Sequence, residues 1–163
     1  MISHAPEPLP GTYILVCQAR QAGFVPAGGL GRLSVPQGYF LYVGSALGPG
    51  GLRARLAHHM RPVLKPHWHI DYLRTVAHLR QIWFCYGQER REHDWAGVLH
   101  QLRGASIPFP GFGSSDCGCA SHLFFFEKCP TQSAFAAALR EAGHHPTRID
   151  RFDPESRTLT ACR

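Results

Sequence analysis

Residues 38–60, GYFLYVGSALGPGGLRARLAHHM, decide how this chain is read. The aromatic and apolar run Gly38–Gly44 predicts a strand. LGPGG, residues 47–51, predicts a loop, and Leu52–Met60 predicts a helix that stops before Pro62. On a wheel turning about 100° per residue, Leu56 and Met60 fall to one side of Leu52. Arg55 and His59 fall to the other side, within about 60° of it, where leucine would be expected. Because they are four apart, they share one groove. Arg53 and His58 lie at or beyond the edges of the apolar arc and read as solvated. One reading is a snorkelling arginine and a hydrogen-bonded core histidine. The other is a helix that lines a cleft and turns an arginine fork towards an anion, for which its paired donors are suited.

Upstream, Gly11–Ala19 (GTYILVCQA) is rich in β-formers and predicts a strand that pairs with Gly38–Gly44 in a hairpin-like way. GRLSV, residues 31–35, reads as a short strand between turns. Downstream, residues 67–76 read as a short helix, 79–86 as a strand, 90–103 as a helix and 104–120 as a Gly/Ser/Pro loop. HLFFFE, residues 122–127, is apolar on both alternations and reads as a central strand buried on two faces. Residues 131–142 read as a helix with Thr131 as N-cap. The order predicts an α+β fold, a small mixed or antiparallel sheet flanked by helices. Residues 11–155 form one domain in this reading, preceded by a loose arm, 1–10, and followed by a polar tail, 156–163.

The chain has 163 residues, 44% of them hydrophobic, which suits one globular domain with a real core. It has no apolar run long enough to span a bilayer and no signal-peptide pattern, so the expected address is the cytoplasm, with no membrane partner. Its net charge of +6, with eleven histidines besides, favours an anionic partner, of which nucleic acid is the commonest. The six cysteines then read as reduced thiols and not as a disulfide frame.

Three further clusters carry polar chemistry. Glu92 precedes the stripe Trp95, Val98, Leu99, Leu102 and extends its apolar face at the N-terminal end. It reads either as a solvated acid favoured by the helix dipole or as a carboxylate that can hold a hard divalent cation. In HWHIDYL, His67, His69 and Asp71 lie two apart, so on a helix they diverge by about 200° and do not share an ion easily. Trp68, Tyr72 and Val76 are expected to pack inward, with His69 and Asp71 as candidates for the cleft. DCGCASH brings Asp116, Cys117, Cys119 and His122 together. One residue between cysteines is a poor match to zinc spacing, and a fourth ligand would have to come from elsewhere, such as Cys129. A loop of small residues that approaches the cleft closely is the preferred reading, and zinc is disfavoured.

Taken together, GTY at Gly11–Tyr13, YVG at Tyr42–Gly44 and the helix bearing Arg55 and His59 resemble the paired signatures of the GIY-YIG nuclease superfamily. The stretch LYVGSALGPGGLRARLAHH…HWHIDYL…GFGSSDCGCASHLF is similar to one compact branch of it, small bacterial and archaeal proteins sometimes fused to DNA-repair glycosylases. The resemblance spans roughly residues 10–128. It departs in the long Gly/Pro-rich interval between Tyr13 and Tyr42, and in the family's late asparagine, for which Asp116 or Ser121 stands in the corresponding loop.

The resemblance implies a metal-dependent endonuclease acting on DNA in preference to RNA, in repair or on particular structures. Water attacks a phosphodiester in line. Tyr13 and Tyr42 orient or deprotonate it, Arg55 grips the phosphate, His59 assists, and Glu92 holds a divalent cation, Mg2+ with Mn2+ as substitute. Gly44, Ser45, His69, Asp71, Asp116, Ser121 and His122 are further cleft candidates. A free tyrosine, with a pKa of about 10, is a poor base at neutral pH, so the cation and Arg55 are expected to depress it. Besides nucleic acid, a second copy of the chain or a repair protein is an expected partner. Two alternatives remain, a nucleic-acid-binding module without cleavage and a small metal or redox protein built on the Cys117/Cys119/His122 loop.

Overall fold

The computed structural model describes residues 5–26, 29, 31–144 and 148–157. Among the described residues, seven strands and four α-helices follow in the order β1 (Gly11–Ala19), β2 (Gly23–Pro26), β3 (Arg32–Val35), β4 (Gly38–Ala46), α1 (Gly51–Met60), α2 (His69–Leu73), β5 (His78–Tyr86), α3 (Glu92–Gln101), β6 (Leu123–Phe126), α4 (Gln132–Glu141) and β7 (Asp150–Phe152). A 3-10 turn, Pro154–Arg157, closes the described chain. The fold is α+β. Its main sheet has five strands in the order β6-β4-β1-β5-β7, while β2 and β3 form a separate two-stranded sheet. Each neighbouring pair is antiparallel, so the sheet is antiparallel and not mixed.

β1 is the middle strand, and its residues are buried on both faces. Tyr13, Leu15 and Cys17 point to one side and join Phe40, Leu52, Leu56, Ile70 and Leu73. Ile14 and Val16 point to the other and join Trp95, Leu99, Phe135 and Leu139. This is the period-two alternation of a strand covered twice, with α1 and α2 on one face and α3 and α4 on the other. The expected N-cap is present: Thr131 Oγ1 accepts from Ala134 N at 3.1 Å at the start of α4.

Four expectations need correction. HLFFFE supplies β6, which is an edge strand and not a central one. Both faces are indeed covered, since Leu123 and Phe124 belong to opposite clusters. Two-sided apolarity reports covered faces and says nothing of rank within the sheet. The open edge is met by Ser106, which exchanges backbone hydrogen bonds with Phe125 (3.0 and 2.8 Å). Of the arm, residues 5–10 are not loose. The carbonyls of Leu9 and Glu7 accept from Leu52 N (2.8 Å) and Arg53 N (3.2 Å), which answers donors that a helix start leaves free. Residues 1–4 of that arm, and 158–163 of the expected tail, lie outside the described residues. The helix expected over 67–76 narrows to His69–Leu73, and Ile70 and Leu73 supply its fully buried contacts while Trp68, Tyr72 and Val76 are half-buried. Finally, β2 and β7 add strands that the sequence pattern did not suggest.

In the β1–β4 ladder Tyr13 stands opposite Gly44, and Leu15 stands opposite Tyr42. Both tyrosines therefore project from the same face. The Tyr13 ring lies across Gly44, where an added Cβ would sit 2.5 Å from its ring carbon and hydroxyl. Gly113, with φ +69, performs the same service for Tyr42, whose ring edge would be 2.8 Å from a Cβ there. Gly44→Ala is expected to destabilise the chain by about 1–3 kcal/mol through overpacking against a buried ring. Urea unfolding checks this, and Tyr13→Ala in the same chain should recover part of the loss; no recovery would dissociate the two positions.

Candidate active site

One polar cleft runs along the end of the sheet in two lobes that share Tyr13, Tyr42, Arg55, Gly113 and Asp116. The lobe towards α2, about 300 Å³, is lined also by His59, His67, Trp68 and His69. The lobe towards α3, about 330 Å³, is lined also by Gly44, Ser45, Arg90, Glu92, His93 and His122. Segments distant in sequence thus bring two phenols, two guanidinium groups and two carboxylates to one opening.

Arg55 stands where the lobes meet. It is half-buried, and its guanidinium carbon lies 4.7 Å from the centroid of the Trp68 ring. That aromatic face orients the fork and leaves its donor edge for a ligand. One helical turn on, His59 is 1% exposed, and its Nε2 lies 2.8 Å from the Tyr13 hydroxyl. Burial lowers the His59 pKa to about 3, helped by the positive charge of Arg74 and by His58 and Arg55, against an opposing pull from Asp71. The imidazole is therefore neutral and carries one ring hydrogen. One tautomer accepts the Tyr13 O–H at Nε2; the other donates from Nε2 and frees the Tyr13 O–H for the cleft. His59 Nδ1 has no partner among the described residues.

Without a cation, both tyrosines titrate above the ordinary range. Burial pushes Tyr13 well above the ordinary tyrosine range, with Tyr42 adding to it and Arg55 opposing. Burial likewise pushes Tyr42 up to about 12, again against Arg55. Desolvation outweighs the arginine, so both are phenols, donors of hydrogen bonds, in the isolated chain.

Glu92 opens α3 and is 7% exposed, unlike the solvated acid that a first-turn position commonly holds. Its Oε2 is buried and without a partner among the described residues, although the carboxylate lines the cleft. An unpartnered buried carboxylate oxygen is costly, and it is the group a hard cation would satisfy. Mg2+ commonly takes one or two carboxylates and keeps its waters, so a single glutamate fits it.

The other candidates divide. Gly44, Ser45, His69, Asp116 and His122 line the cleft. Ser121 does not: it is 1% exposed, donates to the Phe109 and Leu123 carbonyls (3.3 and 3.0 Å) and accepts from Leu123 N. Between the two stand-ins for the late asparagine, only Asp116 is placed at the cleft. Asp71 is also engaged elsewhere. It accepts from the backbone of His67 (3.1 Å) and Trp68 (3.0 Å) and faces His58 Nε2 at 3.4 Å, so it caps α2. Burial raises its pKa, but those backbone donors and His58 outweigh burial and hold it below the usual carboxylate value. His58, expected to be solvated, is half-buried against Asp71 and Trp68.

The sequence reading missed Trp68 as the seat of Arg55, Gly113 as the seat of Tyr42, and His93. Nothing in local spacing marks His93 as a neighbour of the cysteines, since the approach to Cys119 spans 26 positions. Cys129 is not grouped with them; its thiol donates to its neighbour's carbonyl, at Pro130. The five described cysteines are free thiols. Among the described residues, no helix is long and apolar enough to cross a membrane.

Fold and cleft thus define a small α+β protein with a polar, phenol-lined cleft that holds Arg55 and an unsatisfied carboxylate. The chain belongs to the family described as Domain of unknown function DUF123, whose model matches residues 12–144 and so covers every cleft residue named above. No curated protein and no solved structure matches it.

The buried neutral imidazole has a consequence for acid stability. His59 takes up a proton near pH 6.5 when unfolded and only near 3 when folded, so in that window the unfolded chain binds more protons. Stability is therefore full above about pH 6.5 and falls as pH drops. Asp71, depressed when folded, adds its loss only below the ordinary aspartate value of 3.8. Between pH 6.5 and 4 the urea midpoint of the wild type should fall, and His59→Asn should flatten that slope. His122, whose pKa burial and His93 also lower, leaves a residual slope. An identical slope in the variant would mean that His59 is not the buried neutral group.

Proposed function

We propose that this chain is a metal-dependent endonuclease that hydrolyses phosphodiester bonds in DNA, of the GIY-YIG type. The observation that carries the reading is the convergence of Tyr13, Tyr42, Arg55 and the unpartnered Glu92 oxygen on one cleft. In plain core packing the four would have no reason to meet, and the net charge of +6 suits a polyanion.

Arg55 takes the scissile phosphate, with Trp68 holding its plane. The Tyr13 and Tyr42 hydroxyls orient the attacking water at the divide between the lobes. The water's proton passes through Tyr13 to His59 Nε2, 2.8 Å away, while the water oxygen bonds to phosphorus and the P–O bond to the leaving oxygen breaks. Burial, Arg74 and His58 do most to keep His59 neutral, and a phosphate placed against Arg55 offsets only the smaller contribution of that arginine, which moves the acceptor towards greater basicity as the substrate arrives. Glu92 would hold a divalent cation, Mg2+ or Mn2+, which would supply charge stabilisation for the leaving oxygen. DNA repair or structure-specific cleavage is the setting this chemistry suits, in the cytoplasm, and a second copy or a repair protein would help select the site.

The test is cleavage of labelled duplex, nicked, flapped and branched DNA and matched RNA, with Mg2+, Mn2+ or chelator. Arg55→Ala should lower the rate roughly 10²–10³-fold, the scale of losing one positioned charge donor. Glu92→Ala should abolish metal-dependent cleavage, and Tyr13→Phe should cost roughly 10²–10⁴-fold, as loss of a proton relay does. Circular dichroism should be unchanged in all three. Salt-sensitive binding with no turnover under any condition would instead make the chain a binding module.

A further inference from the structure

Beside the proposed catalytic residues, but separate from them, four soft or borderline donors meet at the edge of the α3 lobe. His93 comes from α3, and Cys117, Cys119 and His122 from the loop that precedes β6. One ligand atom from each lies within 4.8 Å of all the others. His93 Nδ1 is 3.1 Å from Cys119 Sγ, and His122 Nε2 is 3.4 Å from Cys117 Sγ. With Zn–S about 2.3 Å and Zn–N about 2.0–2.1 Å, the N···S edge of a tetrahedral site is about 3.6 Å. The four atoms are thus close to the separations such a site requires.

We propose that His93, Cys117, Cys119 and His122 bind a structural zinc ion. Two thiolates and two imidazoles in a tetrahedral array select zinc over magnesium or calcium, which take oxygen donors. Four protein ligands leave no open position, so the site is closed and is not the place of a hydrolytic water. Two thiolates balance the charge of Zn2+, so the ion would add no net charge beside Glu92 and Arg55. The single residue between the cysteines, which argues against zinc in sequence, is accommodated by the fold. Gly111 N donates to Ala120 O and His122 N to Phe112 O, both at 2.8 Å, so the loop folds back on itself. Val43 N donates to His122 O at 2.9 Å and ties this loop to β4. The bound ion would fasten the loop carrying Gly113 and Asp116 to the first turn of α3, which carries Glu92. His93 is exposed and the thiols are half-buried, so the site is open to metal entry.

The experiment uses the full untagged chain, purified with reductant, and does not depend on cleavage. Elemental analysis should find about one zinc per chain. Cys117→Ser/Cys119→Ser should lower it at least tenfold, and Cys129→Ser should leave it unchanged. Chelator should lower the thermal midpoint and zinc should restore it. Should the double variant not fold, the wild type decides alone: cobalt added to reduced, metal-free protein should give a thiolate-to-cobalt charge-transfer band and the intense visible bands of tetrahedral cobalt. Zinc well below stoichiometry without that cobalt spectrum would overturn the proposal. So would stoichiometric zinc undiminished in a folded Cys117→Ser/Cys119→Ser variant, or iron or copper bound in zinc's place. A zinc-loaded chain that cuts nothing would leave this inference standing and remove the nuclease reading; a metal-dependent nuclease without zinc would do the reverse.

Discussion

The Tyr13 ring occupies the space over Gly44 in which any other residue would place a Cβ. That one packing arrangement underlies most of the site. It requires Tyr13 and Gly44 to face each other across the central ladder, which fixes the β1–β4 register. A one-residue slip would turn every side chain of β4 to the opposite face. With the register held, Tyr42 emerges beside Tyr13 on the α1 face, and α1 docks over both by burying Leu52 and Leu56. His59 then meets the Tyr13 hydroxyl, and Arg55 reaches the opening one turn earlier.

The helix itself shows why this arrangement is costly unless it serves a ligand. Burying an aliphatic side chain at position 59 would contribute about 1.5–3 kcal/mol. His59 instead buries a polar ring with Nδ1 unpartnered, and such an atom costs about 1–3 kcal/mol. Glu92 carries a similar burden at the opposite wall of the cleft. Of the buried side-chain atoms without a partner among the described residues, these two belong to residues that line one cleft, which is consistent with residues held for chemistry and not for stability.

The loop of residues 104–122 contributes in three ways. Ser106 covers the edge of β6, Gly113 makes room for Tyr42, and the Cys117–His122 segment stands against α3. A Gly/Ser/Pro-rich segment between two regular elements would ordinarily be read as a mere connection. Here it forms one wall of the cleft, with Gly113, Asp116, Cys117 and His122 in the lining.

The elements with strong periodicity were legible in the sequence: β1, β4, α1, α3, β5 and α4 follow their apolar patterns and caps. So was the inward position of Arg55 and His59, because a helical wheel needs only local geometry. The pairing of GTY with YVG, and Glu92 at the head of its apolar stripe, were legible too. Other features depended on contacts between distant segments. The edge position of β6, the engagement of Asp71 and Ser121 with nearby backbone groups, the rise of the tyrosine pKa values and the meeting of His93 with Cys119 all required the folded chain. A period of two or 3.6 residues reports which side of an element is buried. It carries no information about which remote group fills the space opposite, and that space determines whether a carboxylate caps a helix or faces a cleft.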